Sequence, residues 1–417
     1  MIPHKIGVNS VIGGILLNIS AHKLDTVSIA LSATIGFYGF TTVPRIATMI
    51  LAVPVLWILA DSRYSAFAVV LSYKLFASRG LLQGASVFLS ESHSPLQAAM
   101  LYFFLSFAAS LPFLVFWSRD SKAKALCLIT AMLTAYVLPP ISLIGIINPL
   151  VATGTIFKGW GFFGMLVILV VYAICAFSRH IAFFFLCVIV AFTLFPSDDW
   201  YRPPAPVGFV AIDTSFGKLA SGSSNFAQDY ERAQAVFNDL RKRNIKSMDA
   251  SVVVLPETIA GRLNASGLSL WREGAQKLLH KDMTLIFGAE IPTGDGRRYD
   301  NAAVILYKGE ITLSKQRIPV PYSMYRGPFA EDGANLHLFD DGMIRLPDGR
   351  KVAMIICYEA YLSWPFLLSM AHKPDAIVSI ANLWWCRGTS LPRSQRTILS
   401  LWGLLFGVPV VFAQNSG

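Results

Sequence analysis

Charge is what this sequence has least of: 14% of its 417 residues are Asp, Glu, Lys or Arg, against about 25% in ordinary soluble domains. Set beside 54% hydrophobic residues, that scarcity excludes a soluble single-domain protein. Cysteine is scarce too, five in all, with neither zinc-ligand spacing nor the density of a disulfide framework. No H-E-x-x-H, P-loop or strand-linked G-x-G-x-x-G occurs, so metal and nucleotide binding lack support and no cofactor is expected. Lys and Arg form no stripe despite a formal net charge of +10, which argues against direct nucleic-acid binding.

The charge that exists is unevenly placed. Residues 1–205 hold 12 Lys/Arg and 6 Asp/Glu, whereas 206–417 hold 23 and 19. This predicts a multi-pass α-helical membrane domain over 1–200 and a second domain over 206–417. A bilayer core needs about 20 mostly apolar residues per helix, and seven runs qualify, near 27–43, 46–60, 64–88, 97–117, 125–147, 161–178 and 181–195. Val11–Ser20 is apolar but short, and no A-x-A-like cleavage site follows it. Short-loop bias puts Lys5, Lys23, Arg63, Arg119, Lys122, Lys124 and Arg179 inside, with Arg45 and Lys158 outside. Seven spans then deliver residue 196 onward to the periplasmic face of a bacterial inner membrane. Lys74 and Arg79 fall within the third run; a long, tilted or broken span with both side chains reaching the interface is the expectation, against a functional role.

Beyond Pro203, Pro204 and Pro206, apolar strands alternate with helical stretches, the pattern of an α/β layered domain. Strands are predicted at Val207–Ile212, Ser251–Leu255, Thr284–Ala289, Ala302–Tyr307, Val352–Ile356, Ala376–Ile380 and Val408–Ala413. Helices are predicted at Asn225–Asn244, Ser269–His280, Glu359–His372 and Arg393–Phe406. In the first of these, Phe226, Tyr230, Ala233, Phe237 and Leu240 form one amphipathic stripe.

Three features carry chemistry: Glu257 after Val254-Leu255-Pro256, Lys315 in the polar segment Ser314-Lys315-Gln316-Arg317, and Cys357 followed by Tyr358 and Glu359 where a strand turns into a helix. Each alone has an ordinary reading, as a solvated cap, an exposed loop lysine and a buried small hydrophobe. In the order Glu, Lys, Cys, each beside its own strand, they resemble the triad of the carbon-nitrogen hydrolase (nitrilase) superfamily. Tyr299-Asp300-Asn301-Ala302, Ala381-Asn382-Leu383-Trp384-Trp385 and Gly407-Val408-Pro409 leading to Gln414-Asn415-Ser416-Gly417 reinforce the resemblance. It implies an αββα sandwich with Cys357 as nucleophile, Glu257 as general base and Lys315 with the Tyr358 N–H holding the oxyanion, Glu359 supporting. A helix N-terminus and a nearby ammonium would lower the thiol pKa toward ~7 or below.

The membrane half preceding such a domain resembles the apolipoprotein N-acyltransferase branch, which implies an acylated or amide substrate such as a phospholipid drawn from the bilayer, and an amidase or N-acyltransferase reaction through a Cys thioester. Tyr322, Trp384 and Trp385 are candidate substrate-binding residues. Val320-Pro321-Tyr322-Ser323-Met324-Tyr325 departs from that branch by placing Met324 where it has a second glutamate, with Glu331 as a conceivable substitute, and the Lys-to-Val spacing is one residue longer. In length, architecture and these departures the chain resembles the TraB-type conjugal-transfer family of rhizobial and Agrobacterium plasmids, which implies a role in plasmid transfer and partners in the conjugation machinery. Two other readings stand: a non-catalytic envelope assembly factor on a retained hydrolase scaffold, and a Cys357–Cys386 disulfide, with Cys386 otherwise a packing residue.

Overall fold

The computed structural model describes residues 8–40, 44–88, 94–218 and 226–416; Lys5, positions 41–43, Asn225 and Gly417, which carry expectations above, lie outside these, as do the side chains of Val11–Ser20 and of Phe226. The first half is helical throughout: α1 (Val8–Gly39), a 3-10 stretch over Pro44–Leu51 leading into α2 (Ala52–Leu59), α3 (Arg63–Ala77), α4 (Gly80–Phe88), α5 (Pro95–Val115), α6 (Ser121–Tyr136), α7 (Gly161–Phe177) and α8 (Arg179–Leu194). Side chains start several of them. Ser62 accepts from Ser65 N–H, Asp120 accepts from Ala123 N–H, and Ser94 forms a capping box with Gln97.

The seven runs do not become seven full-length helices. Among the described residues α5 is itself long and apolar enough to cross a membrane, and α3 with α4 passes the same test only as a pair bent by 54°. The run at 125–147 stops at Tyr136, ahead of Pro139-Pro140, and continues as 3-10 turns at Ile141–Leu143 and Pro149–Thr155. The third run is therefore broken at Ser78–Arg79. Arg79 lies over the Phe37 ring and donates to the Phe37 and Phe76 carbonyls, whereas Lys74 is 2% exposed, buried within the protein.

The second half contains β1 (Phe209–Ala211), α9 (Phe226–Lys242), β2 (Val252–Val254), α10 (Ala265–Leu278), β3 (Thr284–Thr293), β4 (Arg298–Tyr307), β5 (Glu310–Lys315), β6 (Gly333–Ala334), β7 (Met343–Arg345), β8 (Lys351–Ile356), α11 (Ser363–Ala371), β9 (Ala376–Asn382), α12 (Leu391–Phe406) and β10 (Val410–Asn415). One mixed sheet runs β1-β2-β3-β4-β5 with β6 on β4; the other runs β10-β9-β8-β7. β5, β6 and β7 occupy segments where the sequence predicts no strand.

Strand alternation sorts the residues into layers. Val253, Leu285, Phe287, Val304 and Leu306 pack with Phe237 and Trp271 of α9 and α10. Their neighbours Val252, Val254, Ile286, Ala303 and Ile305 share one core with Val352, Met354, Val378 and Ile380 of the second sheet, and α11 and α12 supply Phe366 and Trp402 to the same core. The order is helix, sheet, sheet, helix. In α9 the stripe holds at Ala233, Phe237 and Leu240, whereas Tyr230 is 45% exposed.

The helical half docks on this sandwich beside Cys357. Tyr358 Oη donates to the Leu143 carbonyl at 3.0 Å, Ile147 N–H donates to the Tyr361 carbonyl at 3.2 Å, and Asn148 Nδ2 donates to Ser363 Oγ at 2.8 Å. Helix α4 lies so close to the segment after β9 that a Cβ on Gly84 would come within 2.6 Å of the Trp385 ring. A single core cluster spans the two halves.

Candidate active site

Two strand ends bring the central pair together. Glu257 follows β2, and Cys357 directly follows β8 from the opposing sheet. Both turns are sharp: Thr258, next to Glu257, has φ +52°, and Cys357 itself has φ +52°, a left-handed conformation costing a β-carbon residue on the order of 1–3 kcal/mol. Gly288 of β3 passes the Glu257 backbone so closely that an added Cβ would sit 2.4 Å from Glu257 Cα. The absence of a side chain there lets the carboxylate tuck between the sheets.

Glu257 is 3% exposed and well supplied with donors. Asn301 Nδ2 donates to Oε1 at 2.6 Å, Asn382 N–H donates to Oε2 at 2.8 Å, and the Cys357 thiol lies close enough for each group to shift the other's ionisation. Burial pushes the Glu257 carboxyl above its ordinary range, and these hydrogen bonds offset part of the rise. Burial, and then the adjacent Glu257, push the Cys357 thiol well above its ordinary value. The lowered thiol pKa expected from sequence is thus reversed. The turn after Cys357 is a five-residue 3-10 segment, Cys357–Tyr361, short of the helix whose dipole was invoked, and among the described residues no ammonium figures among the groups that shift the thiol.

Lys315 is not brought to this pair. It pairs across the β4–β5 hairpin with Ala302, so its side chain shares a face with Asp300 and with Leu313, which packs against the α9/α10 core. Its ammonium sits 2.8 Å from Asp300 Oδ2, with 40% of the side chain exposed. Asp300 also accepts from Asn335 Nδ2, and His337 Nε2 lies 2.8 Å from its Oδ1. Burial works against ionising Asp300, yet hydrogen bonds from Lys315, Asn335 and His337 hold its carboxyl below the ordinary range.

One step along the strand, Gln316 turns inward. It is 1% exposed, accepts from Asn301 Nδ2 at 2.8 Å and donates from Nε2 to the Ile356 carbonyl at 3.0 Å. A neutral amide, joined through Asn301 to Glu257 and through Ile356 to the Cys357 turn, occupies the place where the resemblance implied an ammonium. The extra residue between Lys315 and Val320 is the sequence counterpart of this shift.

Glu359 is a strut. Its Oε2 accepts from Ile356 N–H at 3.0 Å and from Arg317 Nη2 at 3.2 Å, while Oε1 accepts from the Arg317 and Ile318 amides. That buried pair ties the end of β5 to the cysteine turn. Gln395 Nε2 donates to the Cys357 carbonyl at 2.9 Å. Asn415 Nδ2 donates to Asn382 Oδ1 at 2.8 Å, which places the residue whose N–H serves Glu257. Asn301, Gln316, Asn382 and Gln395 were missed as site residues, although Asn301 and Asn382 lie inside motifs legible in the sequence.

The other candidates separate. Cys357 and Trp385 line an apolar cavity between the halves, open on one side, with Leu81, Leu105, Ile146, Val320 and Tyr358 among its walls. Tyr322 does not line it; it is 59% exposed at φ +66°. Trp384 lies under Lys218, whose Nζ is 5.6 Å from the ring centroid. Glu331 pairs with Arg297 at the surface, away from any role in place of Met324. Cys357 and Cys386 are both free thiols, and Cys386 Sγ donates to the Leu383 carbonyl at 3.3 Å, as a packing residue would.

No family model matches the chain. It is 30% identical over 404 residues to a probable conjugal transfer protein TraB of Sinorhizobium fredii, a match covering 94% of this chain and 98% of that protein. It is 30% identical over 408 residues to the conjugal transfer protein TraB of Agrobacterium fabrum, covering 93% and 92%. Among solved structures, a cysteine mutant of a nitrilase-superfamily amidase from Nesterenkonia AN1 is similar at 12% identity and TM-score 0.39, covering 52% of this chain and 80% of that one.

Proposed function

Because the chain belongs to the family of TraB conjugal transfer proteins, we propose that it supports plasmid conjugation as a membrane-embedded thiol enzyme of carbon-nitrogen hydrolase type, with Cys357 taking up an acyl group. One observation carries this reading: a strained cysteine electrostatically coupled to a buried carboxylate forms part of the wall of an apolar cavity shared by the two halves. A packing cysteine needs neither the strain nor the carboxylate.

In the reaction, Cys357 Sγ attacks the carbonyl carbon of an ester or amide, and its proton passes to Glu257. The C–O or C–N bond breaks as Glu257 returns the proton to the leaving alcohol or amine. The thioester is then attacked by water or an acceptor amine, Glu257 again taking and returning the proton, with an expected share of about 10² to 10⁴ in rate. Tyr358 N–H is the oxyanion donor of this scheme. The raised thiol pKa fits a mechanism in which the proton leaves only as the carbon–sulfur bond forms.

The helical half, with Phe103, Phe104, Phe107, Phe163 and Phe184 turned outward, is the membrane domain of the proposal, multi-pass in the inner membrane, and 206–417 the periplasmic domain. Its phospholipid or other acylated substrate would enter laterally. The test is incubation of purified protein with acyl-labelled phospholipid: a hydroxylamine-sensitive adduct on Cys357, absent in Cys357→Ala, is expected. A Cys357→Ala strain with unchanged conjugation frequency would overturn the catalytic role.

A second reading, a non-catalytic assembly factor, is favoured by the neutral Gln316 and the outward Lys315. It predicts that unchanged frequency, with no adduct on the wild-type thiol.

A further inference from the structure

The Cys357 cavity contains one group that the proposed chemistry leaves unused. Lys74 reaches its wall from α3, 2% exposed, with Nζ 3.3 Å from the Ile146 carbonyl oxygen and 4.5 Å from the centroid of the Tyr136 ring. Among the described residues no carboxylate supplies a counter-charge. A carbonyl and a ring face offset part of the cost of burying an ammonium, but without an anion the larger part of it stands. The apolar walls around it, among them Leu101, Leu105 and Ile144, suit hydrocarbon and offer no anion of their own.

We propose that Lys74 is the counter-ion for the anionic head of an acyl-chain ligand held in this cavity. The ligand class is an amphiphile with a hydrocarbon chain against the apolar walls and a carboxylate or phosphate at the ammonium. This deepens the assignment of the cavity to acyl substrates and rests on that reading for the chain. It adds what the reading lacks, a selection by charge. A neutral ester of the same chain length fills the same walls and leaves the ammonium unpaired, so the site discriminates by the charge-assisted contact alone.

The experiment uses the full chain with Cys357→Ser, so that no covalent chemistry enters. Dissociation constants are measured by native mass spectrometry for palmitate, 1-palmitoyl lysophosphatidic acid and methyl palmitate. Expected is binding of at least one anionic probe about tenfold or more tighter than the ester. Lys74→Met should bring that ratio to within about twofold of unity with ester affinity retained, and Lys74→Arg should keep the preference. Whichever anionic probe gains more identifies the head as carboxylate or phosphate. A ratio in Lys74→Met as large as in the parent protein, no preference in the parent protein, or no binding of any probe overturns the proposal. A missing thioester with an intact charge preference would instead sink the chemistry of Cys357 and leave Lys74 in its role.

Discussion

The two faces of the β4–β5 hairpin differ by a single residue step and by the whole of their electrostatics. On the outer face Asp300 and Lys315 form an ion pair, with His337 and Asn335 beside it. On the inner face Asn301 and Gln316 form an amide chain running from Glu257 to the cysteine turn. Because a strand's side chains alternate with period two, a shift of one residue moves a group from one face to the other. The ionic pair stays in partial contact with water, where its charges are cheap. The site between the sheets holds a carboxylate and a thiol, and among the described residues no cation figures in the shifts of either.

The change most able to break this comparison is Gln316→Lys, which puts an ammonium on the inner face. An opposite charge within about 4–6 Å lowers an acid's pKa by roughly 1–3 units. Alkylation of Cys357 at neutral pH by a small thiol reagent should therefore rise about 10- to 1000-fold. An unchanged rate would mean that position 316 does not face the sulfur.

Next in size is Glu257→Gln. Removing the adjacent carboxylate removes one cause of the raised thiol pKa, so alkylation accelerates, by about tenfold for each pKa unit recovered, while acyl transfer is lost. The same variant tests linkage. The Glu257 carboxyl is raised from an ordinary 4.5 in the folded protein, so its contribution to stability is fully present below that value and is lost as pH rises through the folded-state value. Thermal unfolding followed against pH should show this decline in the wild-type chain and a flatter curve in the variant; parallel curves would place Glu257 in water.

These tests bear on what the sequence makes legible. The α9 and α10 helices and the long buried strands follow from apolar periodicity, and Glu257 and Cys357 from their positions after strands. The helical half was harder to read. Composition marks apolar runs, but Pro139-Pro140 and the break at Ser78–Arg79 decide where helices stop, and a long apolar run does not disclose which of its residues face a neighbour. Lys74 illustrates the limit, since its burial depends on the loop at Ile144–Ile147 and on Tyr136 closing over it. Lys315 is different, because the deciding signal was present. Read as a polar loop, the segment gives its side chain no direction. Read as an alternating strand, Ile311 and Leu313 define one face, and Lys315 falls on it with Gln316 opposite.

The smallest expected effect sharpens that point. Lys315→Met should leave the alkylation rate of Cys357 within about twofold of wild type, since the ammonium it removes faces Asp300 and the outer surface. Its cost is structural and modest. The pair is partly exposed, at 40% for the lysine side chain, so screening limits it to about 1 kcal/mol or less, and Asp300 keeps Asn335 and His337 as partners. The sign with pH is fixed by the lowered Asp300 carboxyl: its stabilisation is present above the ordinary value of 3.8 and is lost as pH falls through the folded-state value. The variant should therefore lose least stability at acid pH and most near neutrality. A tenfold fall in alkylation or acylation on Lys315→Met would show instead that the ammonium leaves Asp300 and reaches the sulfur when substrate binds, and the inner face would then acquire its cation by movement rather than by register.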